Sequence, residues 1–219
     1  MRVLKWLLCL LLLGLFTTHA HTQSLSVLAL GDSYTIGESV PEQARWPNQL
    51  KSALGEKGIS LRFHIVAKTG WRTDDLLAGM ERVSDTATFD KVSILIGVNN
   101  QYQGRSIDQF EKELESIISA ALQKCGNDTS SIFFISIPDY GYSPFGETLD
   151  TIKISEELDR YNAVTQMKAH KLGVPVVDVT SISRSRKGEM IAKDGLHPSQ
   201  QQYAAWVDAI VERISFTTH

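Results

Sequence analysis

Cysteine is nearly absent from this chain, with two in 219 residues. Cys9 sits in an apolar amino-terminal run, so Cys125 is alone in the rest of the sequence. A single thiol cannot close an intramolecular disulfide, and stability must come from the core. Cys125 reads as a partly buried small residue at a helix end. Repeats, low-complexity tracts and Pro-, Gly- or Ser-rich linkers are missing, which leaves one domain rather than two. Basic clusters are missing as well: 22 Lys and Arg face 25 acidic residues, for a formal charge of -3. That balance argues against nucleic acid and anionic lipid as partners. No Gly-x-Gly-x-x-Gly follows the first apolar run and no phosphate loop occurs, which argues against nucleotide binding. No His-Glu-x-x-His or cysteine pair suggests a metal, and no cofactor is implied.

Long hydrophobic runs are limited to one. Arg2 and Lys5 precede an apolar stretch from Trp6 to Phe16, and Thr18-His19-Ala20 follows as a cleavage signature. The stretch is too short to span a bilayer comfortably, so residues 1–20 read as a signal peptide and not as a stable membrane anchor. Cleavage near Ala20 would leave a secreted or periplasmic domain of residues 21–219.

Within that domain, short apolar runs alternate with amphipathic ones. Strands are expected at Leu25–Leu30, Leu61–Val66, Val92–Ile96, Ile132–Ile137 and Val174–Asp178. Continuous runs of this kind suit a parallel sheet covered on both faces. Helices are expected near Trp46–Lys57, Thr73–Arg82, Ile107–Lys124, Ser155–Leu172 and Ser199–Ile214. In the third of these, Phe110, Leu114, Ile117, Ile118 and Ala121 recur at helical spacing. Five strands alternating with five helices predict a three-layer α/β domain with a five-stranded, mostly parallel sheet.

Ligands of open α/β sheets bind beyond the carboxyl ends of the strands. Gly31-Asp32-Ser33 follows the first strand, Lys68-Thr69-Gly70 the second and Gly97-Val98-Asn99 the third. Pro138-Asp139-Tyr140 follows the fourth, and Asp194-Gly195-Leu196-His197 lies between the fifth strand and the last helix. A serine hydroxyl becomes a nucleophile when an imidazole takes its proton and a carboxylate fixes that imidazole. Ser33, Asp194 and His197 supply those three groups. The tetrahedral oxyanion of acyl transfer needs preorganised donors, and the backbone N–H of Ser33, Gly70 and the Asn99 amide are available. Taken singly, Gly70 is a turn glycine and Asn99 a turn or cap residue; their place at successive strand ends sets them apart. Gly31-Asp32-Ser33-Tyr34-Thr35 lacks the second glycine of the nucleophile elbow, which argues against the common α/β-hydrolases.

Together the blocks Gly31-Asp32-Ser33, Gly70, Gly97-Val98-Asn99 and Asp194-Gly195-Leu196-His197 resemble the SGNH hydrolases, also called GDSL-type esterases and lipases. The resemblance spans nearly the whole domain. It implies a flavodoxin-like sheet and Ser33 as nucleophile, with Asp194 and His197 completing a triad. It also implies an oxyanion hole from Ser33, Gly70 and Asn99. Tyr34 stands where the family often has leucine, and Asn100 where it usually has aspartate. The expected activity is hydrolysis of a carboxylic ester, an O-acetyl glycan or an acyl-lipid or thioester, through an acyl-enzyme. Tyr34, Trp71, Asn100, Tyr102, Tyr140 and Tyr142 are candidates for substrate contact, the last two on an Asp139–Glu147 loop that also carries Phe145. Two alternatives stay open: a carbohydrate- or lipid-binding module that has lost turnover, and an acyltransferase using the same triad.

Overall fold

The computed structural model describes residues 23–185 and 190–217, so the expected signal segment lies outside the described residues. Five strands form one sheet: β1 (Gln23–Gly31), β2 (Ile59–Ala67), β3 (Lys91–Leu95), β4 (Ile132–Ile135) and β5 (Val176–Val177). Their order is β2-β1-β3-β4-β5, and all four pairings are parallel. This is the flavodoxin-like order, with helices on both faces of the sheet.

The helices are α1 (Ser33–Ile36), α2 (Trp46–Gly55), α3 (Thr73–Met80), α4 (Val98–Tyr102), α5 (Ile107–Gln123), α6 (Thr151–Leu172), α7 (Thr180–Ser185) and α8 (Gln200–Arg213). α2 packs on α8, and α5 touches both α3 and α6. The face of α5 that spacing predicted is the buried one: Phe110, Leu114, Ile117, Ile118 and Ala121. Val27 to Leu30 in β1 and Phe133 and Phe134 in β4 are inaccessible to water, as befits inner strands covered on both sides.

Four elements differ from the sequence expectation. β2 is an edge strand, and Arg62, His64 and Ile65 face solvent, so the run Leu61–Val66 is not covered on both faces. β5 shrinks from Val174–Asp178 to two residues. Pro175 has no N–H to give, although its carbonyl accepts from Phe134 at 3.0 Å, and the Asp178 side chain turns to accept from the Ser181 N–H at 3.1 Å. β4 stops at Ile135 rather than Ile137, whose N–H and carbonyl are both taken by the Asn162 side chain, at 2.8 and 3.0 Å. α6 starts a turn earlier than expected, because Asp150 caps it through the Lys153 N–H at 3.0 Å.

Three short helices, α1, α4 and α7, have no hydrophobic period to betray them. Two of them matter for the site. The chain leaves β1 toward β2 on one side and returns to β3 on the other, so the connections part where β1 and β3 end. Gly31 pairs with Leu95 at that point. The divergence opens a crevice, and α1 and α4 begin at its two lips.

Candidate active site

The lip after β1 is built by Gly31 and Asp32. A Cβ on Gly31 would lie 2.1 Å from Thr35 Oγ1 and 2.5 Å from the Leu95 carbonyl, so only glycine lets strand, helix and neighbouring strand meet there. Asp32 then caps α1, accepting from the Tyr34 N–H at 3.0 Å. Ser33 is the first residue of the helix and is buried. Its own N–H belongs to the first turn, where no helical carbonyl is available to it. Asp32 is fully buried, and burial pushes its carboxyl up to about 7 against the opposing pull of the Tyr34 N–H. Its Oδ2 has no partner among the described residues.

The lip after β3 is closed by Gly97, with φ 127°. A Cβ there would fall 2.7 Å from the Phe110 ring and 2.9 Å from Ile137. Asn99 follows on α4, and its Nδ2 donates to the Trp71 carbonyl at 2.9 Å. That bond fixes the amide and leaves its second N–H for another acceptor. Trp71 closes a tight turn by donating its N–H to the Lys68 carbonyl at 3.2 Å. Gly70 occupies the turn position that needs positive φ, at 79°. A Cβ on Gly70 would meet nothing within 4 Å, so glycine is required there by backbone conformation and not by close approach.

The acid and the imidazole lie on a small hairpin. Ile191 and Pro198 form an antiparallel bridge. The Ala192 N–H donates to the His197 carbonyl at 2.7 Å, and the Ser199 N–H to the Met190 carbonyl at 2.8 Å. Gly195, with φ 77°, turns the tip. Asp194 Oδ2 lies 2.6 Å from His197 Nδ1, and Oδ1 accepts from the N–H groups of Leu196 and His197 at 2.9 and 3.0 Å. Ser39 Oγ donates to Oδ2 at 2.5 Å. Burial pushes the Asp194 carboxyl up, but the donors from Ser39, Leu196 and His197 outweigh it and hold the group well below the usual carboxylate range. With Nδ1 committed to Asp194, Nε2 is the nitrogen left for proton exchange.

One cleft of about 190 Å³ brings these elements together. Ser33, His197, Gly70 and Asn99 line it, with Thr69 beside them. Tyr34, Val98, Tyr102, Tyr140, Phe145 and Leu196 complete a wall that is mostly apolar. Tyr102, Tyr140 and Phe145 form a ring cluster with centroids 6.2 to 6.4 Å apart. The Tyr140 hydroxyl donates to Gln101 Oε1 at 3.0 Å, and burial pushes its pKa up to about 12, so it stays a neutral donor. Tyr34 packs edge-on to His197 with centroids 5.8 Å apart. Among the described residues no group of three His, Cys, Asp or Glu side chains could hold a metal ion.

Three of the expected substrate contacts are placed elsewhere. Asn100 is fully buried, and its amide bonds Thr73 twice, accepting from the N–H at 3.1 Å and donating to Oγ1 at 2.6 Å. It ties α4 to the start of α3 and does not face the cleft. Trp71 turns its ring onto α3, where a Cβ on Gly79 would lie 2.5 Å from it, and only its backbone serves the site. Tyr142 lies outside the cleft lining. Ser39 had no sequence signal, since its part depends on a loop far away in the chain, while Thr69 and Val98 lay in strand-end segments but were given no role of their own. Leu196 could have been foreseen from its place between acid and imidazole.

Comparison with known proteins agrees with this geometry. Residues 29–205 match the GDSL-like Lipase/Acylhydrolase family. An arylesterase of Vibrio mimicus is 29% identical over 122 residues, which is 56% of this chain and 60% of the relative, less than two thirds of its length. A G-D-S-L family lipolytic protein from Veillonella parvula superposes with a TM-score of 0.70 at 18% identity, over 85% of this chain and 96% of the other. Axe2, an acetylxylan esterase from Geobacillus stearothermophilus, does so with a TM-score of 0.69 at 20% identity, over 90% and 97%.

Proposed function

This chain belongs to the GDSL-like lipase/acylhydrolase family, and from that premise we propose that it hydrolyses carboxylic esters through an acyl-enzyme on Ser33. One observation carries the reading: the Asp194–His197 pair, 2.6 Å apart, lines the same small cleft as Ser33, Gly70 and Asn99.

Ser33 Oγ attacks the ester carbonyl carbon while His197 Nε2 takes its proton. Asp194 fixes the tautomer through Nδ1 and stabilises the imidazolium that forms. The carbonyl oxygen becomes an oxyanion held by the N–H groups of Ser33 and Gly70 and by the Asn99 amide. Collapse of the intermediate expels the alcohol, which leaves with the proton from His197. Water then repeats the sequence on the acyl-enzyme, with His197 again as base, and releases the acid. Every group returns to its starting state, with no cofactor in the cycle.

The cleft's size and apolar wall favour a substrate with one compact acyl or aryl group. Tyr102, more than half exposed at the rim, and the Tyr140 and Phe145 rings offer faces for an aryl or sugar alcohol. The acetylxylan esterase among the similar proteins supports a short acyl group on a sugar alcohol, and the arylesterase supports an aryl ester. Nitrophenyl esters of increasing chain length test this reading. Turnover is expected to peak at the short chains and to vanish in Ser33→Ala, and a fluorophosphonate is expected to label Ser33. Undiminished turnover in Ser33→Ala would overturn the mechanism, and a maximum at long chains would overturn the substrate class.

The protein is exported, in this reading, after cleavage near Ala20. The support is the charged and apolar pattern of residues 2–20. Mass spectrometry of the exported fraction is expected to find a chain beginning within a few residues of His21, and an intact amino terminus in the membrane pellet would refute it.

A further inference from the structure

We infer that Ser39 is a positioning residue of the active site, one that couples the loop after the serine-bearing helix to the hairpin carrying acid and base. The inference rests on Asp194 and His197 acting as proposed above.

Four observations converge on it. Ser39 has φ 64°, a left-handed conformation that costs a non-glycine residue about 1–2 kcal/mol. Gly37, two residues earlier, is also left-handed, at φ 70°. These two bends turn the chain back sharply after α1 and carry Ser39 toward the hairpin. There Ser39 Oγ donates at 2.5 Å to Asp194 Oδ2, the same oxygen that faces His197 Nδ1. Finally, Glu38, between the two bends, accepts a hydrogen bond from Thr69 Oγ1, next to Gly70.

The physical need is plain from the exposure of the acid. About 31% of the Asp194 side chain is open to solvent, whereas an orienting carboxylate works best when its partners are fixed. Oδ1 is held by two backbone N–H groups of its own hairpin. Those bonds orient the carboxylate within the hairpin but cannot set where the hairpin lies against Ser33. Among the described side-chain hydrogen bonds of Asp194, only that from Ser39 reaches it from the serine-bearing segment, 155 positions away in sequence. Together with the Tyr34 ring against His197 and the Phe145 N–H on the Gly195 carbonyl, Ser39 thus helps to set the distance between base and nucleophile, and Glu38 ties the same loop to the Gly70 turn. A residue kept in a left-handed conformation for this bond is local strain at a functional site.

Ser39→Gly is the informative variant, because glycine adopts the same backbone without strain while the hydroxyl and its Cβ are removed. Turnover of a short nitrophenyl ester is expected to fall about 5- to 20-fold. KM is expected to stay within about twofold and the melting temperature within about 3 °C, since strain relief offsets the added chain entropy. Ser39→Asn, which tolerates the left-handed region and carries a donor, is expected to recover most of the loss. In an Asp194→Ala background the Ser39→Gly change is expected to cost nothing further, because the two act as one unit. Wild-type turnover in Ser39→Gly would overturn the inference, as would the same loss with and without Asp194, or a loss that follows a fallen melting temperature in both variants. Ser33→Ala measured alongside separates the cases: if it still turns over, the proposed mechanism fails; if it is inactive and Ser39→Gly is normal, only the role of Ser39 fails.

Discussion

Asn99 and Asn100 are neighbours on one short helix, and truncating each to alanine is expected to have opposite consequences. Among the described residues the Asn99 amide makes one hydrogen bond, to the Trp71 carbonyl at 2.9 Å, and it lines the cleft. Its loss frees a partly exposed carbonyl that water can reach, at a cost of about 0.5–1.5 kcal/mol. In the proposed mechanism the second N–H meets a full negative charge in the transition state, whereas the ground-state carbonyl gains little from it. Turnover is therefore expected to fall about 10²–10³-fold, or roughly 3–4 kcal/mol, with KM nearly unchanged. Asn100 is fully buried and satisfies both the N–H and the Oγ1 of Thr73, itself inaccessible to water. Asn100→Ala strands the Thr73 N–H, costing about 1–3 kcal/mol for that group alone, and leaves a small cavity as well. For a domain of this size each kcal/mol lowers the melting temperature by about 2–4 °C, so a drop of roughly 2–12 °C is expected from that group, and more with the cavity. Turnover of the folded fraction should change far less than in Asn99→Ala. Turnover, KM and melting temperature measured on the same preparations decide the matter. Equal stability losses with intact turnover in both variants would remove Asn99 from the oxyanion hole.

Gly97→Ala is expected to destabilise by several kcal/mol, because the methyl would strike Phe110 and Ile137 at a φ of 127°, and chemical denaturation measures it. Gly70→Ala meets no neighbour within 4 Å and has only its φ of 79° to overcome. It is expected to cost about 1–2 kcal/mol in stability; a loss as large as that of Gly97→Ala would contradict the geometry. Asp32 gives a pH signature. Its carboxyl sits at about 7 in the fold against 3.8 when free, so the folded state holds its proton more tightly than the unfolded one. Its contribution is fully present below 3.8 and is lost as pH rises through about 7. Denaturation midpoints of Asp32→Asn are therefore expected to fall less steeply across that window than those of the parent, and parallel curves would refute the assignment.

Much of the architecture was legible because parallel strands carry their signal locally. Val27 to Leu30 and Phe133 to Phe134 are apolar without alternation, and a strand buried on both faces requires that. The long helices α5 and α6 were legible from their amphipathic pattern, whereas the Asp150 cap that starts α6 a turn early was not read. β2 was expected to be covered on both faces like the other strands, but it is an edge strand, and Arg62 and His64 within Leu61–Val66 are among the residues that face solvent.

The residues proposed to carry the chemistry could be named from sequence because hydroxyl, imidazole and carboxylate are scarce in such spacing, and because the carboxyl ends of parallel strands share one edge. Their partners could not. Asn100 differs from Asn99 only by one residue's rotation about the helix, about 100°, which points one into Thr73 and the other toward the cleft. Trp71 presents its carbonyl to Asn99 and its ring to Gly79, a division invisible in the letter itself. Ser39 lies 155 positions from the carboxylate it holds, and nothing local marks it. Sequence thus determined which groups could react and at which edge of the sheet they gather, since both follow from residue chemistry and short-range periodicity. Only the tertiary structure decided which neighbour aims, braces or merely packs, because hydrogen bonds between loops depend on distances that the whole fold sets.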